Sequence, residues 1–174
     1  MAASEPRGGR APIEFQLKAL TAPDCDAAVA LALGAYEEFC AFKGGEELAL
    51  AMWASLMASL ADGRPRPAPG PGPGTARRSV AFEFKHGPDV IGLGILDLQP
   101  TPHEEAEAFI YLRADQRGRG AGSALLGMLD SWARSEGSPG VFFRVPPGAR
   151  EAKNLGERNG YRARTLKMRR PEGS

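Results

Sequence analysis

The sequence predicts a single α/β domain, a mixed, mostly antiparallel twisted sheet with flanking helices, in the order β-α-α-β-β-β-α-β-α-β. Three observations carry that prediction. Short segments of period-2 alternation are interrupted near the start by two long helical patterns. The turn His86-Gly-Pro-Asp89 joins two apolar strands into a hairpin, which makes antiparallel pairing local. Farther on, a glycine-rich turn leads from a strand into a helix and then to another strand, the pattern of a right-handed parallel crossover. At 174 residues the chain can bury roughly 70% of its unfolded surface, enough for one core and too little for two.

The domain is expected over residues 13–168. Ile13, Phe15 and Leu17 alternate with Glu14, Gln16 and Lys18, so a strand opens it. Thr21 to Asp24 start a helix that runs from Asp26 to Phe42, with Val29, Leu33 and Tyr36 on one side, and Gly44-Gly45 end it. A second helix, from about Glu46 to Ala61, sets Leu48, Met52, Trp53, Leu56, Met57 and Leu60 near one stripe, the pattern of core packing. Between Gly63 and Gly74 five prolines and four glycines exclude both helix and ladder, so residues 63–78 read as a mobile linker. Val80, Phe82 and Phe84 alternate before the hairpin turn, Val90–Leu98 follows it, and Ala106–Leu112 makes a third consecutive strand. Leu125, Met128, Leu129 and Trp132 mark a helix from Gly120 to Arg134. A buried strand at Val141–Val145, a helix at Ala149–Arg158 closed by Asn159-Gly160, and an edge strand at Tyr161–Met168 complete the order.

Several classes are disfavoured. Arg7 and Arg10 have no apolar run behind them, so residues 1–12 read as a disordered tail and not a signal peptide, and 169–174 as a second tail. The nearly apolar stretch Leu48–Ala61 has 14 residues, too short to cross a bilayer of about 30 Å, so no membrane partner is expected. Cys25 and Cys40 lack metal or disulfide spacing and read as reduced, buried thiols of a cytoplasmic protein. His86 and His103 sit in loops and read as solvated, His103 being the weaker candidate for a base, and no metal set exists.

Chemistry concentrates in Gln116-Arg-Gly-Arg-Gly-Ala-Gly122, placed between a strand and a helix. Glycines there permit unusual φ values, the first helical amides have no intrahelical acceptors, and the helix dipole adds about half a positive charge. A phosphate or pyrophosphate is the natural occupant. A Walker loop needs a lysine that is missing, and a dinucleotide fingerprint fails in both registers, with Ser123 or Leu125 at the third glycine position.

Arg117-Gly-Arg-Gly120-Ala-Gly122, followed by Ser-Ala-Leu-Leu126, resembles the acetyl-CoA signature (Q/R)xxGx(G/A) of the GNAT superfamily of acetyltransferases. Phe109–Asp115 resembles that family's fourth strand and turn, and Ala152–Tyr161 its AxxLYxxxGF helix, so the resemblance covers about residues 79–168. It implies that the loop from Arg117 through Gly118, Arg119, Gly120, Ala121, Gly122 and Ser123 holds the pyrophosphate of acetyl-CoA. It also implies that Ile110, Tyr111, Leu112 and Arg113 run beside the pantetheine arm, and that the acceptor is a primary amine. Ser123 then caps its helix or contacts phosphate, since no GxSxG nucleophile motif surrounds it.

Charge agrees with this. Residues 1–112 hold nine basic and fifteen acidic groups, a sum of −6, whereas 113–174 hold thirteen and six, a sum of +7. The near-neutral total of +1 therefore hides a basic half, where Arg113, Arg117, Arg119 and Arg150 suit the phosphates of coenzyme A. Nucleic acid is not expected, because those arginines are not interleaved with aromatics.

The resemblance departs at Leu155-Gly156, where the family commonly carries a tyrosine general acid. Tyr161 takes the family's aromatic packing position and not that role. The resemblance implies a base on the fourth strand, on the face it gives to Ala106 and Ala108, while Glu104, Glu105 and Glu107 flank them at what strand alternation reads as a solvated start. A bulge or a one-residue shift would turn Glu105 or Glu107 inward, which makes these two the candidate catalytic residues. The leading expectation is an acetyl-CoA-dependent N-acetyltransferase acting on a small molecule or peptide. Its rivals are a non-catalytic acyl-CoA-binding module and an interaction protein that uses the Pro/Gly segment. The acceptor site is either open toward the short C-terminal stretch or completed by a second copy in a homodimer.

Overall fold

The computed structural model describes residues 14–20, 25–61, 77–101 and 103–164. Ile13, the helix start at 21–24, the Pro/Gly segment 63–74, both expected tails and residues 165–168 of the expected last strand lie outside the described residues. Five strands form one sheet in sequence order: β1 Phe15–Ala19, β2 Arg78–His86, β3 Asp89–Leu98, β4 Ala106–Leu112 and β5 Val141–Phe142. The first four pair antiparallel, and β4 with β5 is parallel. The mixed sheet with flanking helices that the patterns predict is thus the observed fold.

Helices cover both faces. On one side α1 Asp26–Cys40 and α2 Gly45–Ala61 close over Ala81, Leu93, Ile95 and Phe109. On the other, α3 Ala121–Ser135 packs Leu125, Leu126 and Leu129 on Val80, Phe82, Leu96 and Ala108, with α4 Arg150–Arg158 beside it. The buried face of α1 is alanine, at positions 28, 32 and 35, while Leu33 is exposed. Small side chains bring the helix close to its neighbours, so the expected stripe of larger residues turns partly to its flank. Met57 is likewise exposed on α2, and two serines share that helix's buried face.

Those serines finish the sheet's polar accounting. The Ala81 amide donates to Ser59 Oγ at 2.8 Å, and Ser55 Oγ donates to Asp97 at 2.6 Å. Asp97, 1% exposed, also receives Ser79 Oγ and Arg77, each at 2.6 Å. Glu107 stands opposite Asp97 on the adjoining strand and is 6% exposed. Two buried like charges on neighbouring strands repel. Arg77, which also reaches Glu107 at 3.6 Å, and Arg144, which donates to Glu107, offset that repulsion.

Several expectations are corrected. Glu107 is buried without a bulge, because the sheet is covered on both faces and alternate positions of β4 enter the α1/α2 layer. The register shift among the described strand pairs lies elsewhere, between Phe84 and Lys85. Strand β5 has two residues where five were expected, and the chain peels away before Pro146. Tyr161 to Arg164 form no strand, since the Tyr161 amide bonds Gly156 O at 3.0 Å and closes α4. Both cysteines are free, but Cys40 is exposed and Cys25 half-buried. Among the described residues no helix is long and apolar enough to cross a membrane.

Ser55→Ala and Ser79→Ala each leave buried Asp97 short of a donor and are expected to cost about 1–3 kcal/mol in urea unfolding. Because both act on one carboxylate, the double variant should depart from additivity.

Candidate active site

The site is built where β4 and β5 part. Their ladder holds two residue pairs, Ala106 with Val141 and Glu107 with Phe142. Beyond Glu107 the strands diverge, and a cavity of about 230 Å3 opens between them. Its walls are Ala108, Phe109 and Ile110 from β4, Phe143 and Arg144 beyond β5, and Arg150 to Ala152 at the start of α4. The end of α1 and the start of α2 cover it with Glu38, Phe39, Phe42 and Leu48.

At the far end of β4 the chain turns through a short 3-10 segment, Ala114–Gln116, into the glycine loop and α3. Gly118 and Gly120 have φ of +76° and +84°, values that side chains rarely adopt. A Cβ at either would meet no protein atom within 4 Å, so the backbone is bare on that side. Gly120 is the N-cap of α3, with no side-chain cap and no acidic residue in the first turn. The first intrahelical bond is Ala124 N–H to Gly120 O, leaving the amides of Ala121, Gly122 and Ser123 at the helix entrance. Together with the helix dipole this is a fit for a pyrophosphate. Gly122 serves packing instead: a Cβ there would lie 3.1 Å from Leu155 of α4. Ser123 Oγ accepts the Asn159 side-chain amide at 3.0 Å, a second tie between α3 and α4.

The arginines divide by role. Arg119 is exposed, and Arg150 stands exposed at the first position of α4, on the cavity rim. Arg113 is paired with Asp115, whose carboxyl lies below its ordinary range because Gln116 and Arg113 hydrogen-bond it. Arg117 turns away from the loop. It donates to Leu112 O and binds both oxygens of Glu38, at 2.8 and 2.6 Å, with Tyr111 beneath it at 5.6 Å. Glu38 raises the guanidinium above its ordinary value, more than burial lowers it.

The two candidate catalytic carboxylates fall outside the cavity lining. Glu105 is exposed before β4, and Glu107 is buried behind Arg144. His103 is exposed and does not line the cavity. The structure instead brings in Glu38, Phe39, Phe42, Phe143 and Arg144, none of which sequence reasoning singled out. Glu38 reads as an ordinary charge on an amphipathic helix, and Phe39 and Phe42 read as its last turn. Only two phenylalanines just before Gly44-Gly45 offered a signal.

The glycine at 156 has a packing cause. A Cβ there would lie 2.9 Å from the Phe143 ring, which stacks edge-on with Tyr161 at 5.3 Å. Phe143 thus occupies the space beside α4 from which a tyrosine at 156 would extend. Among the described residues lining the cavity, no side chain carries a hydroxyl, thiol or imidazole.

A family model described as the acetyltransferase (GNAT) family matches residues 51–161. No curated protein matches the chain. Among solved structures the chain is similar to YycN of Bacillus subtilis, provisionally assigned as an acetyltransferase, at 20% identity and TM-score 0.63, over 91% of this chain and 98% of that one. It is similar to ribosomal-protein-alanine N-acetyltransferase of Brucella melitensis biovar Abortus 2308, at 16% identity and TM-score 0.59, over 91% and 99%. It also resembles a Clostridium acetobutylicum protein, an acetyltransferase by prediction, in a structure with acetyl-CoA, at 10% identity and TM-score 0.60, over 90% and 96%. At these identities the likeness shows a shared fold.

Two measurements probe the α4 corner. Gly156→Tyr should overpack it and cost about 1–3 kcal/mol, with Phe143→Ala in the same chain recovering part of the loss in thermal melts. Burial pushes the Tyr161 hydroxyl up to about 12. An unfolded tyrosine ionises near about 10, so this group's stabilisation is intact below that pH. It is lost as pH rises through the folded value of about 12. Tyrosinate absorbance of the wild type and of Tyr161→Phe should differ by one late-titrating group.

Proposed function

The chain belongs to the GNAT acetyltransferase family, and on that premise we propose that it moves the acetyl group of acetyl-CoA to a primary amine. One observation carries the reading: an uncapped helix start with two left-handed glycines opens beside a cavity at the point where two parallel strands part. In this reading the amides from Gly118 to Ser123 receive the pyrophosphate, and exposed Arg119 and Arg150 add positive charge. The β4 edge from Ile110 to Arg113, on which Arg117 already takes Leu112 O, lies beside the pantetheine arm, which leads the acetyl group toward the cavity.

Coenzyme A supplies an activated thioester, and the protein's contribution is to hold the two reactants together. An acceptor that arrives as an ammonium first gives one proton to solvent, and the free amine's lone pair then adds to the thioester carbon. A C–N bond forms, the C–S bond breaks, and sulfur takes up the proton that nitrogen loses. With no hydroxyl in the cavity wall, that proton passes through solvent. Glu107, rather than acting as base, holds Arg144 at the cavity wall, and Glu105 stays outside. The acceptor is a small molecule or peptide amine, and the free thiols agree with a cytoplasmic setting.

A second reading, a non-catalytic acyl-CoA-binding module, draws support from Gly156 and from Phe143 in the place of a proton donor. Tight acetyl-CoA binding with no thiol release over a broad amine panel would favour it. Gly120→Glu sets a strained backbone and a negative charge at the phosphate position, so acetyl-CoA affinity by calorimetry should fall by more than about tenfold. Unchanged affinity would sink both readings.

A further inference from the structure

We propose that the acceptor is a compact monoamine on an apolar body, its ammonium received by Glu38, an inference that rests on the acetyltransferase reading above. The cavity, at about 230 Å3, is small for a ligand site, and Phe39, Phe42, Phe109 and Phe143 face it with Leu48 and Pro146. Such walls take an apolar body and tolerate a cation over a ring face.

Four charged side chains join this apolar lining. Glu38 stands in the lining, 37% exposed at its side chain, and each of its oxygens accepts one bond from Arg117. A carboxylate oxygen has a second acceptor site, so Glu38 can still receive an ammonium. Arg117 is itself fixed by two bonds to Leu112 O, which sets the carboxylate's orientation before any amine arrives. Glu151, the other acidic side chain of the lining, is 86% exposed at the α4 start and lies 3.8 Å from Arg117, a looser contact than Glu38 makes. The lining also carries two cationic side chains, Arg144 and Arg150. A second ammonium on the acceptor would meet those cations, so polyamines are selected against.

The test measures acetyl-CoA affinity by calorimetry and steady-state rates with 2-phenylethylamine, isoamylamine and spermidine, for wild type, Glu38→Gln and Glu38→Asp. Wild type should prefer both monoamines over spermidine in kcat/KM by about tenfold or more. Glu38→Gln should raise the monoamine KM about tenfold or more, with kcat and acetyl-CoA affinity changed by less than about threefold. Glu38→Asp, which keeps the charge, should recover part of the loss. Preference for spermidine overturns the inference while leaving the transferase reading intact, as does an unchanged KM in Glu38→Gln. An equal loss of acetyl-CoA affinity in Glu38→Gln also overturns it, because Glu38 would then act only as the tie for Arg117. Wild type that binds acetyl-CoA and turns over no amine defeats the transferase reading, and this inference with it.

Discussion

Everything at this site depends on the brevity of one ladder. β4 and β5 share two residue pairs and then separate, so the β4 edge from Ala108 onward lacks the strand that would continue the sheet. A buried strand edge leaves backbone groups wanting partners. Part of the edge is answered internally, where Arg117 takes Leu112 O. Ala108 to Ile110 line the cavity. The same divergence carries Phe143 and Arg144 away from the sheet plane and lets α1 and α2 close over the gap from one side. A longer β5 would fill the space that now joins the glycine loop to the acceptor side.

The gap stays open because its rim is held rigidly. Arg144 is bound to Glu107, Glu107 shares Arg77 with Asp97, and Asp97 takes hydroxyls from α2 and β2. This chain of bonds ties the cavity wall to the centre of the sheet and to the helix layer. Here the carboxylates are buried and the arginines about half exposed, so the pairs add little net stability, but any arrangement that strips a buried carboxylate of its partners is penalised. That fits a device for fixing geometry better than one for raising stability.

The fold was largely legible because its strands and helices follow hydrophobic period. Ala106–Leu112 and the α3 and α4 segments fall within a residue or so of their expected limits, and the hairpin turn lies where His86 to Asp89 put it. Period alone misled where a residue is shared between two covered faces. Glu107 looked solvated because alternation gives two faces without saying that both are buried. The last strand was read from alternation at Tyr161, yet that residue is taken up by Phe143 and the end of α4. The glycine loop was legible because unusual φ values leave glycine as their mark. The individual acceptor-side residues were not, since Glu38 and Phe42 at the end of α1 and Phe143 beyond β5 come from two distant segments, each ordinary in its own sequence.

Gly156 shows how packing and chemistry constrain each other. Between 155 and 161 the chain must end a nine-residue helix, set Leu155 against Gly122 and seat Tyr161 on Phe143. A side chain at 156 would collide with the Phe143 ring, and moving that ring would reshape the cavity wall it forms. A proton donor at 156 and an apolar wall at 143 are therefore alternatives, and this sequence holds the second. An apolar wall with no proton donor puts the weight of the reaction on orientation. It favours an acceptor whose body fills the cavity and whose nitrogen is held at one point. The carboxylate that α1 brings to the rim, locked to the glycine loop by Arg117, is placed to supply that point.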